Sequence, residues 1–110
     1  METPVVTPGP QPEPVSQREA GGLNIPTVDP VLAMARDELG RNNINGALTS
    51  YGKLIKKARY LDEVIYDLRE ALYRYPVDVN LWQSLGDAYM RANRLQDALD
   101  SYTKAEELLR

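Results

Sequence analysis

The sequence predicts an all-α protein, and three observations predict it. From Asp29 onward, apolar residues recur at spacings of three and four, the period of a helix with one buried face. No segment alternates with the period of two that a half-buried strand requires. Gly40 with Arg41–Asn43, Pro76 and Asn93 punctuate the pattern, and a weaker break falls at Arg59–Leu61, so that five helix-length segments result.

The first helix starts at Asp29-Pro30, a capping side chain followed by a proline whose missing N–H costs nothing in the first turn. Val31, Leu32, Met34, Ala35, Glu38 and Leu39 carry its pattern to Gly40. The second is expected over 44–58, with Leu48, Tyr51, Leu54, Ile55 and Ala58 on one face. The third is expected over 62–75, with Val64, Ile65, Leu68, Ala71 and Leu72 facing inward, and Pro76 stops it. Asp78 caps the fourth, over 79–92, and the fifth runs from Leu95 to the C-terminus. Residues 1–28 contain six of the eight prolines together with Gly21 and Gly22, which predicts a disordered or polyproline-like linker. The segment reads as a tether, and as an alternative as a ligand for a proline-binding domain.

Composition removes several function classes. Cysteine and histidine are both absent, so thiol nucleophiles, thiolate metal sites and the commonest general base and zinc ligand are missing. Phenylalanine is absent too, leaving seven tyrosines and Trp82 to fill aromatic positions. Tyrosine suits half-buried sites in a thin fold, because its hydroxyl can still reach water. A formal charge of −3 gives no general attraction to nucleic acid or anionic lipid. No apolar run reaches membrane-spanning length, and a signal-peptide layout is missing, so a cytoplasmic location is expected. The carboxylate pairs Asp37–Glu38, Asp62–Glu63 and Glu106–Glu107 lie at or near helix ends, where capping and solubility account for them better than catalysis. Neither an enzymatic activity nor a cofactor is expected.

Counted from Trp82, Leu85, Gly86 and Tyr89 are followed by Ala98, Tyr102 and Ala105. Thirty-four residues earlier stand Leu48, Tyr51, Gly52, Ile55, Val64, Leu68 and Ala71, and Pro76 falls between the two sets. This arrangement resembles the tetratricopeptide repeat family of helix–turn–helix modules. The resemblance implies antiparallel hairpins stacked as a short right-handed superhelix, an α-solenoid. It favours full repeats at 45–78 and 79–110 after a capping or half-repeat helix at 29–42. In an alternative register, Ala47, Tyr51 and Leu54 belong to a second repeat helix paired with Val31, Met34, Ala35 and Glu38. Glycine within a helix costs about 1 kcal/mol relative to alanine, so Gly52 and Gly86 are each expected to mark a close helix–helix approach.

The resemblance also implies a concave groove that receives an extended peptide or a partner helix. By position its lining would be Thr49, Lys53, Lys56 and Lys57 from the second helix and Asn80, Gln83, Asp87, Met90 and Arg91 from the fourth. Lys53, Lys56 and Lys57 share one helical face beside Arg59, so an acidic peptide is the complementary protein partner. An ordinary solvated face is the simpler alternative. Thr49, Lys53 and Ser84 depart from the residues with which part of that family clamps a terminal carboxylate, so that specificity is not carried over. Leu95, Leu99, Leu108 and Leu109 are expected to be partly exposed on the last helix, which suggests self-association through 95–110 or a covering by further protein. The general flavour of the last repeat also suggests a bacterial origin.

Overall fold

The computed structural model describes residues 29–110. The residues of the proline-rich segment, 1–28, on which the linker expectation rests, lie outside the described part. Five helices follow one another: α1 Pro30–Gly40, α2 Ile44–Lys56, α3 Leu61–Arg74, α4 Val79–Arg91 and α5 Leu95–Leu109. Strands do not occur among the described residues.

The helix starts follow local chemistry. The Asp29 carboxylate accepts from the Val31 and Leu32 N–H groups at 2.8 and 3.4 Å, with Pro30 in the first turn. Asn43 accepts from Gly46 N–H at 3.2 Å and Asp78 from Leu81 N–H at 3.1 Å, satisfying donors that a helix leaves orphaned. Three helix ends share one device. Asn43, Arg59 and Arg94 donate backbone N–H groups to Glu38, Leu54 and Tyr89 carbonyls, six-residue closures of 2.8–2.9 Å. Each closure puts the preceding residue, Asn42, Ala58 or Asn93, at positive φ. Asparagine tolerates that conformation, but alanine carries no such signal, which is why α2 ends at Lys56 rather than at residue 58.

Consecutive helices pack side by side, as a helical solenoid does. The tightest pairs are α1 with α2 and α4 with α5; α3 lies against α4 and touches α2 less. The expected pinch between α2 and α3 is therefore absent. A Cβ built on Gly52 would meet nothing within 4 Å, whereas one on Gly86 would come within 2.5 Å of the Tyr102 ring. The physical reason is side-chain size. Fully buried Ala35 and Ala47 stand on α1 and α2, and Gly86 with Ala98, Ser101 and Ala105 on α4 and α5, so these backbones can approach. Tyr51 on α2 and Val64 and Leu68 on α3 are large and fully buried, so α2 and α3 stand further apart.

A polar cluster bridges that wider gap. Asp67 of α3, 8% exposed, accepts from the Tyr51 hydroxyl at 2.8 Å and from Arg36 Nε of α1 at 2.7 Å. Arg36 Nη2 reaches the second carboxylate oxygen at 3.3 Å. One carboxylate thus ties three helices. Burial first, and the bond to Asp67 second, push the Tyr51 hydroxyl well above the ordinary phenol range. The same carboxylate raises the Arg36 pKa.

Two substitution experiments test this packing. Gly52→Ala should stabilise the chain by up to about 1 kcal/mol, since helix propensity improves and no neighbour is touched. Gly86→Ala should destabilise it by about 1–2 kcal/mol as the Tyr102 ring is displaced; urea unfolding of the two variants gives opposite signs. In the polar cluster, Asp67→Ala should cost about 3 kcal/mol, because a buried hydroxyl loses its acceptor and a charge its partner. Tyr51→Phe, which leaves the ion pair intact, should cost about 1 kcal/mol in the same assay.

Candidate functional site

Two clefts meet along α2, one against the start of α1 and the other against α4. One, of about 420 Å³, is lined by Thr49, Gly52, Lys53, Lys56, Lys57 and Arg59. Its neighbour, of about 400 Å³, is lined by Gly52, Lys56, Ser84, Asp87, Met90 and Arg91. Gly52 and Lys56 belong to both, so the empty space above Gly52 is where the clefts join. The glycine expected to pinch two helices instead opens the floor of a groove.

Seven of the nine residues expected in the groove line these clefts. Asn80 and Gln83 are exposed on α4 but line neither. The seven differ in what they offer. The Thr49 hydroxyl donates to the Asn45 carbonyl at 3.0 Å, so its proton is committed to its own helix. Arg91 donates from Nε to the Ile55 carbonyl at 3.1 Å and from Nη2 to the Lys56 carbonyl at 3.0 Å. It therefore caps the C-terminus of α2, where a cation is favoured by the helix dipole, and fixes α4 against α2. Asp87 accepts from the Tyr102 hydroxyl. Lys53, Lys56 and Lys57 are exposed, and Met90 adds apolar surface at 49% exposure. Arg59 reaches the Asp29 carboxylate at 3.7 Å across the mouth of the first cleft. This is an open groove in which Lys53, Lys56, Lys57, Arg59 and Arg91 outnumber the carboxylates of Asp29 and Asp87, with Val31, Leu48, Leu54, Ile55 and Met90 as apolar lining.

The sequence pattern did not reveal a further cleft on another face. About 610 Å³ opens between α3 and α5, with Trp82, Leu85 and Tyr89 of α4 as its floor and Leu72 and Tyr73 of α3 on one wall. Trp82 and Tyr89 entered only as members of the repeat pattern, and one wall comes from a helix not paired with α5. Only the stacking of α3 on α4 brings the walls together. Among the described residues, no group of three or more acidic side chains is placed to hold a metal ion. Among the described residues, no helix is long and apolar enough to cross a membrane.

The comparisons with known proteins agree with this architecture. A family model described as "Bacterial transcriptional activator domain" matches residues 22–110. The chain belongs to this family. Its helices follow the TPR-like helical-repeat architecture. Among curated proteins, human Superkiller complex protein 3 is 44% identical over 52 residues, 47% of this chain and 3% of that protein. Superkiller protein 3 of Schizosaccharomyces pombe is 34% identical over 79 residues, 71% of this chain and 6% of that protein. The domain thus spans only a few per cent of the length of these relatives, a single stretch within much longer chains. No solved structure matches it.

Titration tests the side-chain bond that closes the groove wall of this domain. Burial, reinforced by the bond to Asp87, pushes the Tyr102 hydroxyl up from 10.0 to about 12. A raised folded-state pKa means the contribution is complete below the unfolded value and disappears as pH climbs through the folded one. The wild-type chain should therefore lose stability between about pH 10 and 12 more steeply than Tyr102→Phe. Thermal melts of both chains across that range, with tyrosinate absorbance alongside, read the difference.

Proposed function

We propose that this domain is a non-enzymatic protein–protein interaction module whose α2–α4 groove receives an extended acidic peptide or partner helix. The single observation that carries the reading is the junction above Gly52, where two clefts share a floor and Lys53, Lys56, Lys57 and Arg59 surround it. The finer assignment to the tetratricopeptide repeat proper rests on the Trp82–Ala105 pattern and on the Gly86–Tyr102 contact. In the transcriptional setting that the family description names, such a groove would hold an activator to another protein. Direct contact with nucleic acid is not part of the reading, since the chain is net acidic. A cytoplasmic, bacterial protein without membrane attachment fits the same proposal.

Exposed charge pairs contribute about 0.2–1 kcal/mol each, so three together shift affinity by roughly tenfold or more. Lys53, Lys56 and Lys57 changed together to Glu should weaken capture of a synthetic glutamate-rich peptide by about that factor at low salt. Fluorescence anisotropy measures it, and an unchanged affinity sinks the groove reading.

A second reading, a self-associating scaffold, is favoured by one specific observation. Leu95, Leu99 and Leu109 of α5 are 57%, 58% and 68% exposed. Their counterparts thirty-four residues earlier, Leu61, Ile65 and Tyr75, are buried or half-buried beside α4. The last helix therefore presents the side that α3 covers with its neighbour, ready for a helix of a second copy. Sedimentation over a concentration series separates the readings: Leu95→Lys with Leu99→Lys should abolish any dimer, while the lysine variant leaves it unchanged.

A further inference from the structure

The α3–α4–α5 cleft offers a surface that the lysine groove does not. Tyr73 is 79% exposed on its wall, an aromatic ring that packing within the fold does not cover. The Trp82 indole N–H is already committed to the Pro76 carbonyl at 2.9 Å, so what this side chain offers a ligand is carbon surface. With Leu72, Leu85 and Tyr89 nearby, the cleft has an aromatic and apolar floor, and its charged lining is mixed: Arg69, Lys104 and the Arg94–Asp97 pair, with Asp100. A matching ligand is rigid and apolar and needs no donor from the floor. Proline-rich chain meets those demands: its rings lie flat on aromatic faces, it brings few N–H groups, and it loses little conformational entropy on binding.

Such a segment belongs to this chain. Residues 4–14, PVVTPGPQPEP, hold five prolines and Glu13. In a helix of three residues per turn, Pro4 with Pro10 and Pro8 with Pro14 each share a face, and Glu13 sits within the run. We propose that the cleft between α3 and α5 is a docking groove for polyproline-type chain, and that its resident occupant is the segment 4–14 of the same molecule. Reach is sufficient. The fourteen residues from Val15 to Val28 span up to about 50 Å, while α1 packs on α2 and α2 on α4, two packing steps of about 10 Å each. A connection of this length supplies an effective concentration of about millimolar order, so even a millimolar affinity leaves the groove about half filled. The proposal is independent of the lysine groove, which lies on another face.

Trp82 is the only tryptophan, so its fluorescence reports on this groove in the full chain. Pro8, Pro10, Pro12 and Pro14 changed together to Ser should raise acrylamide quenching of Trp82 about twofold, and the exposed-ring variant Tyr73→Ala should do the same. In the unaltered chain, proline ring protons should show ring-current shifts that both variants lose, and these should persist on about hundredfold dilution. A synthetic peptide of residues 1–16 should bind the proline-substituted chain and compete poorly for the unaltered one. Proline protons at random-coil positions in the unaltered chain, with quenching unmoved by either variant, overturn the proposal. Shifts that vanish on dilution assign the groove to a second copy's segment and overturn the in-chain occupant. Equal peptide binding to both chains does so as well.

Discussion

One buried carboxylate governs how the stack begins. Asp67 sits at 8% exposure among apolar side chains and receives hydrogen bonds from a phenol on α2 and a guanidinium on α1. A charge in that position is tolerable only when it is paired and its lone pairs are filled. Its donors come from helices that touch α3 comparatively little, so the carboxylate does at this junction what small residues do elsewhere. It sets the distance between helices and holds it.

Two ways of joining helices therefore alternate along the chain. Where small residues line the contact, as at Ala35 with Ala47 and Gly86 with Ala98, backbones come close and the pair is a tight hairpin. Where Tyr51 and Leu68 fill the space, the helices stand apart and a polar bridge spans the gap. The grooves follow from this alternation. Wider spacing around α3 leaves the aromatic cleft open toward α5, and the unfilled position at Gly52 joins a lysine-rich cleft between α1 and α2 to one between α2 and α4. Arg91 keeps the second arrangement fixed by holding the carbonyls that end α2.

Much of this was legible in the residues. Helical period, caps at Asp29 and Asp78, and the stop at Pro76 placed all five helices within about two residues, the ordinary uncertainty of helix ends. The inward face of α3 was read in full apart from Asp67, a polar interruption among apolar neighbours that spacing rules pass over. Seven of the nine groove candidates line surface clefts, because exposed positions on a patterned helix follow from its buried ones. Gly52 was misread, because a glycine that permits contact and one that leaves a hole look alike in one dimension.

By itself, then, the sequence determined the class of fold, the order and limits of the helices, and which side of each is buried, because these depend on local dihedral preference and on periodicity. Tertiary structure decided which neighbours pack closely, where Arg36 and Tyr51 find their acceptor, and which gaps become grooves. Those outcomes depend on side-chain volumes meeting across residues tens of positions apart, and no local pattern records that sum.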